Sequence, residues 1–321
     1  MLTRHGALAR SRCVQSRLER LARKSCAQRW TASPPAGWRK TNSLSRCWSI
    51  PGGEEKAYGE GGTLPTGYSY NGDAPFYPCS VIKVFYLVAT QAALDAGKVQ
   101  ATPELERAMH DMIKWSSNNA TNYVIDTLTG TTGDTELGEE EMRRWMAARN
   151  GINAYFKQLA LPEFDGINVC QKLMDDDRYG REKIFVEVGG NNHNRLTADA
   201  SASVFSRIMD GAMISPERSR IMADFLYRPR DPGFVKRPLS QVLNYMGADL
   251  PEGAKLWSKA GWTGWTGDPR ASYRRHDAIH VELADGKRFT CVVFTQGEQI
   301  SANVTILLAI GKHTAELVAA L

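Results

Sequence analysis

Pro78-Cys79-Ser80-Val81-Ile82-Lys83 opens a run, Ser80 to Ala96, that contains neither Pro nor Gly. Its apolar residues Val81, Ile82, Val84, Phe85, Leu87, Val88, Ala92, Ala93 and Leu94 fall all round a helical wheel. A helix that is apolar on every face belongs in the middle of a domain. Lys83 is the one cation in its first four turns. Ser80 and Lys83, three residues apart, share one face of the first turn. Two readings fit these six residues. In one, Ser80 caps the helix and Lys83 snorkels to solvent. In the other, a buried amine takes the serine proton, and the helix N-terminus favours the anion that develops.

Around this stretch the chain has 321 residues, 42% hydrophobic and 23% charged, an ordinary globular composition. No run approaches the roughly eighteen apolar residues of a membrane span, so no transmembrane segment is expected. The net charge of +5 is unevenly placed. Residues 1–47 carry eleven Lys/Arg against Glu19 alone, which leaves the rest at −5. Nucleic-acid binding by the main body is therefore not expected. Residues 1–55 read as a basic N-terminal extension. Three alternatives stand for it: a disordered tail, a presequence or membrane-surface helix, or translation from too far upstream. No apolar core follows its charges, so no secretory signal peptide is visible. Residues 56–321 read as the catalytic domain. The cysteines form no Cys-x-x-Cys pair and no His cluster stands near them, so neither a metal nor another cofactor is expected. Cys79, Cys170 and Cys291 read as small buried hydrophobes.

Taken in order, Thr66 to Gly72 reads as a short strand and turn. Gly97 ends the opening helix, and Thr102-Pro103 caps the next. A break at Trp115-Ser116-Ser117-Asn118-Asn119 precedes a third helix that ends at Gly130. Glu139 to Leu159 is helical with an interruption at Asn150-Gly151. Asp175 to Asn194 reads as irregular. Thr197 to Met213 and Ser215 to Tyr227 are helical. Strands follow at 255–259, 278–283 and 288–295, the last two joined by an Asp285-Gly286 turn. Residues 301–321 close the chain as a helix. This order predicts an α+β fold, an antiparallel sheet flanked by helices with an all-helical subdomain.

Three short motifs stand in order on these elements: Ser80-Val81-Ile82-Lys83, Ser116-Ser117-Asn118, and Lys259-Ala260-Gly261 at a strand end before Trp262. The set resembles the active-site serine penicillin-recognising enzymes, the class A β-lactamases and penicillin-binding proteins. The likeness covers about residues 56–321, and it implies the β-lactamase/transpeptidase-like fold. It also implies roles. Ser80 is the nucleophile that forms an acyl-enzyme, and Lys83 is its base. Ser116 relays a proton to the leaving nitrogen. Asn118 contacts Lys83 or a substrate amide. Lys259 supplies positive potential. Gly261 and Trp262 lie on the strand edge, and the backbone N–H groups of Ser80 and Trp262 form the oxyanion hole.

The sequence also departs from the family pattern. Ser117 stands where Asp is usual, Ala260 stands where Thr or Ser is usual, and Trp262 is a large residue that is expected to narrow the site. For deacylation, Glu187-Val188-Gly189-Gly190-Asn191 has the family's Glu-x-x-x-Asn spacing and makes Glu187 the candidate base, with Glu182 and Asp177 as rivals. His280 reads as structural and His193 as solvated. Arg274, Arg275 and His276 are either a carboxylate-binding group or a solvated hairpin end. The expected activity is β-lactam hydrolysis of class A type on a small β-lactam or peptide-like substrate, by a monomer. The alternatives are a D-Ala-D-Ala peptidase or esterase on the same fold, and a non-catalytic binding protein. By resemblance the compartment is periplasmic or extracellular.

Overall fold

The computed structural model describes residues 67–173, 175, 177–187 and 192–321, together with the backbone of 43–50. Strands β1 (Ser43–Ile50) and β2 (Gly67–Tyr70) come first, and a one-turn 3-10 helix, Cys79–Val81, runs into α1 (Ile82–Asp95). Next are α2 (Pro103–Lys114), α3 (Asn118–Thr129), α4 (Glu139–Arg149) and α5 (Gly151–Gln158). Then come α6 (Gly180–Glu187), α7 (Ala198–Met209), α8 (Pro216–Leu226), β3 (Tyr227–Arg228) and the short α9 (Pro232–Val235). The chain closes with β4 (Lys255–Thr263), β5 (Arg274–Glu282), β6 (Arg288–Gln296), α10 (Glu298–Ala302) and α11 (Thr305–Ala319).

Local chemistry accounts for many of these boundaries. The Thr102 hydroxyl accepts from the Leu105 N–H at 3.1 Å, with Pro103 at the first helical position. Ser117 does the same for Ala120 at 3.1 Å, and Ser215 for Arg218 at 3.2 Å. Gly130, left-handed at φ 64°, ends α3.

The strands form one antiparallel sheet in the order β2-β1-β6-β5-β4-β3. Side chains alternate between its faces. Ala278, Val292 and Phe294 face a core shared with α1, α2, α3, α7 and α8. Ile279, Val281, Cys291 and Val293 face Leu307, Ala315 and Val318 of α11, with Val242 and Met246. Helix α1 is buried along most of its length between the sheet and the other helices, as its uninterrupted apolar surface requires. On the far side, Met142, Trp145, Cys170, Phe185 and Val186 make a smaller core.

The structure adds two elements to those read from the sequence. Ser43–Ile50, placed by the sequence in the extension, pairs with β6 along its whole length and with β2. The alternation of Leu44, Trp48 and Ile50 with serines is the strand signal that the surrounding basic composition hid. The stretch read as irregular after Asp175 contains α6, whose Phe185 and Val186 fill the smaller core.

Candidate active site

The turn that carries Ser80 is held tightly. Cys79 sits at φ 48°, a conformation uncommon for a residue with a side chain, and the Val81 N–H closes back on the Pro78 carbonyl at 3.1 Å. Gly261 of β4 lies against this turn. A Cβ at that position would come within 2.7 Å of the Ser80 nitrogen and the Cys79 Cβ, so only glycine lets the strand approach. The His276 ring accepts the Thr295 N–H on Nδ1 at 3.0 Å, which leaves Nε2 to donate to the Tyr77 carbonyl at 2.9 Å. That bond ties the segment before Ser80 to the sheet. Burial brings the His276 pKa down to about 3, so the ring is a neutral brace. His280 is likewise buried, bonded to Thr290 Oγ1 at 2.8 Å, with burial bringing its pKa to about 3.

Two buried lysines converge on Ser116. Lys83 Nζ donates to the Ser116 carbonyl at 2.5 Å, to Ser116 Oγ at 3.2 Å and to Asn118 Oδ1 at 2.8 Å. Lys259 Nζ reaches the same Ser116 Oγ from the other side at 3.0 Å. Both amines are fully buried. Burial lowers Lys83 to about 7, against the pull of Asp175. Burial, and then the Lys83 and Arg228 charges, hold Lys259 well below its ordinary value. Ser116 itself is at φ 58°. Strained residues of this kind persist where the surroundings over-determine them.

Three further residues complete the arrangement, and the sequence did not single them out. Asp175 accepts from Asn118 Nδ2 at 2.5 Å, so Asn118 spans Lys83 and a carboxylate. Gln241 accepts from Lys259 Nζ at 2.7 Å and bonds both backbone groups of Ala260 at 3.3 Å. Arg228, buried, donates to the carbonyls of Ile113 and Lys114 at 2.7 Å and of Ser258 at 3.2 and 3.3 Å. It thereby joins the end of α2, ahead of Ser116, to the residue before Lys259. No local pattern marks these three, because each acts across a long loop.

The structure brings Ser80, Lys83, Ser116, Asn118, Lys259 and Gly261 together. Glu187 is exposed at the end of α6 with no hydrogen-bond or ion-pair partner among the described residues, and Asn191 lies outside them. Glu182 is buried and held by Arg149 at 2.8 and 3.0 Å. Asp177 is exposed. His193 is not solvated. It is 8% exposed and bonds Asp268 at 2.7 Å. Trp262 does not narrow the cleft through its side chain. In the strand register it shares a face with Ala260 and Arg275, and its indole N–H donates to the Ser301 carbonyl at 3.1 Å on the far side of the sheet. Its ring lies 5.8 Å from the Arg275 guanidinium, which bonds the same carbonyl at 2.6 Å.

The profile of the Beta-lactamase enzyme family matches residues 99–319, well over half of the chain. The protein belongs to this family. It is a serine hydrolase of the β-lactamase type. The match takes in Ser116, Asn118 and Lys259 and begins after Ser80 and Lys83. Solved structures share the fold at low identity. PBP-A superposes with a TM-score of 0.60 at 17% identity, covering 95% of this chain and 97% of that one. A β-lactamase from Sphaerobacter thermophilus DSM 20745 gives 0.58 at 18%, covering 94% and 97%. The TLA-3 extended-spectrum β-lactamase gives 0.61 at 11%, covering 93% and 97%. Among curated proteins no significant match is found. Among the described residues no helix is long and apolar enough to cross a membrane.

Proposed function

We propose that the protein hydrolyses β-lactams through an acyl-enzyme on Ser80, with Asp175 in the place the sequence gave to Glu187. The observation that carries this is Ser116 Oγ held between two buried lysines, at 3.2 and 3.0 Å. A lysine brought to about 7 is partly neutral at working pH and can act as a base, which an ordinary lysine cannot. Neutral Lys83 takes the Ser80 proton as Oγ attacks the lactam carbonyl. The N–H groups of Ser80 and Trp262 hold the oxyanion. The C–N bond then breaks, and Ser116 delivers its proton to the leaving nitrogen and is reprotonated from the lysine pair. Deacylation needs a water and a base. Asp175, fixed by Asn118 beside Lys83, accepts the water proton as hydroxide attacks the ester; the ester C–O bond breaks, and that proton passes from Asp175 by way of neutral Lys83 to the departing Ser80 Oγ, which restores both bases.

A second reading is a D-Ala-D-Ala peptidase or esterase on the same site. Two observations favour it. Glu187 is exposed with no partner among the described residues, and Ala260 brings no hydroxyl to a substrate carboxylate. We also infer that the catalytic unit begins at β1 rather than at residue 56.

Intact mass during incubation with benzylpenicillin separates these readings. Wild type is expected to show a transient adduct, Asp175→Asn a persistent one, and Glu187→Ala a transient one. A persistent adduct in wild type moves the assignment to the peptidase class. Absence of any adduct defeats the acyl-enzyme reading.

A further inference from the structure

Two stretches of chain that flank the reacting centre meet at one hydrogen bond. His193 Nε2 lies 2.7 Å from Asp268 Oδ2, in the loop between β4 and β5. A carboxylate only accepts, so the proton of the ring is on Nε2. Nδ1 is buried without a partner, and burial first, then the Arg270 charge, hold the imidazole below its usual range. The ring is therefore an uncharged donor at neutral pH. No step of the proposed chemistry uses either group.

Each side of this bond is a unit held by its own contacts. In the loop, Thr263 Oγ1 donates to the Ala271 carbonyl and Ser272 Oγ to the Asp268 carbonyl, both at 2.7 Å, and the Tyr273 N–H closes on the Gly264 carbonyl at 3.0 Å. This loop leaves β4 directly after Gly261 and Trp262, beside Ser80. On the other side, Asn168 and Arg195 exchange both backbone bonds, at 2.8 and 2.9 Å, and Asn168 Nδ2 donates to the His193 carbonyl at 2.9 Å. Asn194 Oδ1 accepts from the N–H groups of Cys170 and Gln171 at 3.1 and 2.9 Å. The chain runs from this clamp to Leu173, whose N–H and carbonyl are both held by Asn122 of α3, at 3.1 and 2.9 Å. Asp175 follows two residues later, on Asn118. The bond between His193 and Asp268 thus joins the unit that leads to Asp175 to the unit that continues the oxyanion strand. A catalytic group keeps its geometry only when the residues around it are themselves held.

We propose that His193 and Asp268 are a positioning pair for deacylation. They fix the 168–173 segment, with Asp175 at its end, against the loop after β4, and so set where the base stands relative to the Ser80 ester. The catalytic effect rests on the reading of Asp175 as the base; the tie itself does not.

Two measurements test this: the life of the benzylpenicillin adduct by intact mass, and hydrogen exchange of the protein without ligand. His193→Phe keeps the ring and removes the donor. It is expected to lengthen the adduct life about tenfold with acylation little changed, since misplacing a group by about 1 Å can cost roughly a hundredfold. It is also expected to speed exchange over 168–173 and 264–273. His193→Gln, whose amide nitrogen reaches about as far as Nε2, recovers most of both. Asp268→Ala reproduces His193→Phe, and the double variant is no worse than either single one. In an Asp175→Asn background His193→Phe adds nothing to the adduct life. Unchanged exchange in His193→Phe, or fully additive effects of the pair, overturn the tie. Faster exchange with a wild-type adduct life overturns the positioning role where Asp175→Asn prolongs the adduct. Where Asp175→Asn does not prolong it, or no adduct forms, the base has been misassigned, and the exchange data with the double variant decide the tie alone.

Discussion

Lys83 lies fully buried with its ammonium among three oxygens, and burial brings its pKa from 10.5 to about 7. The folded value is below the unfolded one, so between these limits the unfolded chain binds more protons. Stability therefore rises with pH from about 7 toward 10.5, by up to about 1.4 kcal/mol per pH unit from this one group. Lys259 acts in the same direction. Chemical denaturation across pH 7 to 9 is expected to show this rise, and Lys83→Met is expected to lose Lys83's share of it together with all acylation. An unchanged slope in that variant means that Lys83 is not the titrating group. In the proposed mechanism the neutral amine is the base, so the acylation rate of wild type is expected to climb with pH around a midpoint near 7, read from adduct formation in a pH series. Ser80 and Lys83 were legible as a pair in the sequence, because their spacing is local to one helical turn. Asp175 was not, because nothing near it in sequence says that it meets Asn118 across more than fifty residues. Glu187 was singled out by its Glu-x-x-x-Asn spacing alone. It falls at the end of a helix whose buried residues, Phe185 and Val186, were not read as core.

Among the elements, β4 and the turn at Ser80 depend on each other most closely. Replacing Gly261 by Ala puts a methyl group 2.7 Å from backbone that cannot move without displacing Ser80. Overpacking of this kind costs about 1–3 kcal/mol. Acylation is expected to fall much further than stability, since Ser80 is the atom group that moves. A thermal melt paired with an acylation assay checks this, and a variant that melts lower yet acylates at the wild-type rate contradicts it. Arg228 is the corresponding joint between α2 and β4. Its removal leaves the carbonyls of Ile113, Lys114 and Ser258 without their donor inside the protein. Arg228→Met is expected to lower both stability and acylation, and Arg228→Lys to restore fold better than rate, because one ammonium cannot span three carbonyls. Equal recovery of both would show that Arg228 serves only the fold. The helix caps at Thr102 and Ser215 were readable because a cap is a four-residue event. Strand register and the Gly261 contact were not, because they are set by residues far away in the chain.

At the scale of the whole molecule, the sheet and α1 form one core, and the helical side is held onto it partly by buried charge. Arg149 is fully buried, stacks 4.5 Å over Trp145, and bonds Glu182 at 2.8 and 3.0 Å and Thr131 at 2.8 Å. Lys172 bonds Asp126 of α3 at 2.6 Å and lies 3.7 Å from Glu182. These contacts fasten α3, α4 and α6 around the segment that carries Asp175. The α+β class was legible from the order of helical and strand patterns. The buried network was not, since Glu182 and Arg149 read alone as ordinary helix charges. Such a network is weak support for stability as a whole, yet removing one partner strands the other charge at a cost of about 3–5 kcal/mol. Glu182→Gln is therefore expected to lower the melting temperature, to speed hydrogen exchange over 172–187, and to lengthen the life of the Ser80 adduct while acylation continues. The last effect separates a positioning role from a merely structural one, because global weakening does not by itself slow deacylation selectively. The double variant Arg149→Met with Glu182→Leu removes both charges and is expected to recover stability relative to Glu182→Gln. If the adduct in the single variant decays as fast as in wild type, the network holds the fold together without holding Asp175 in place.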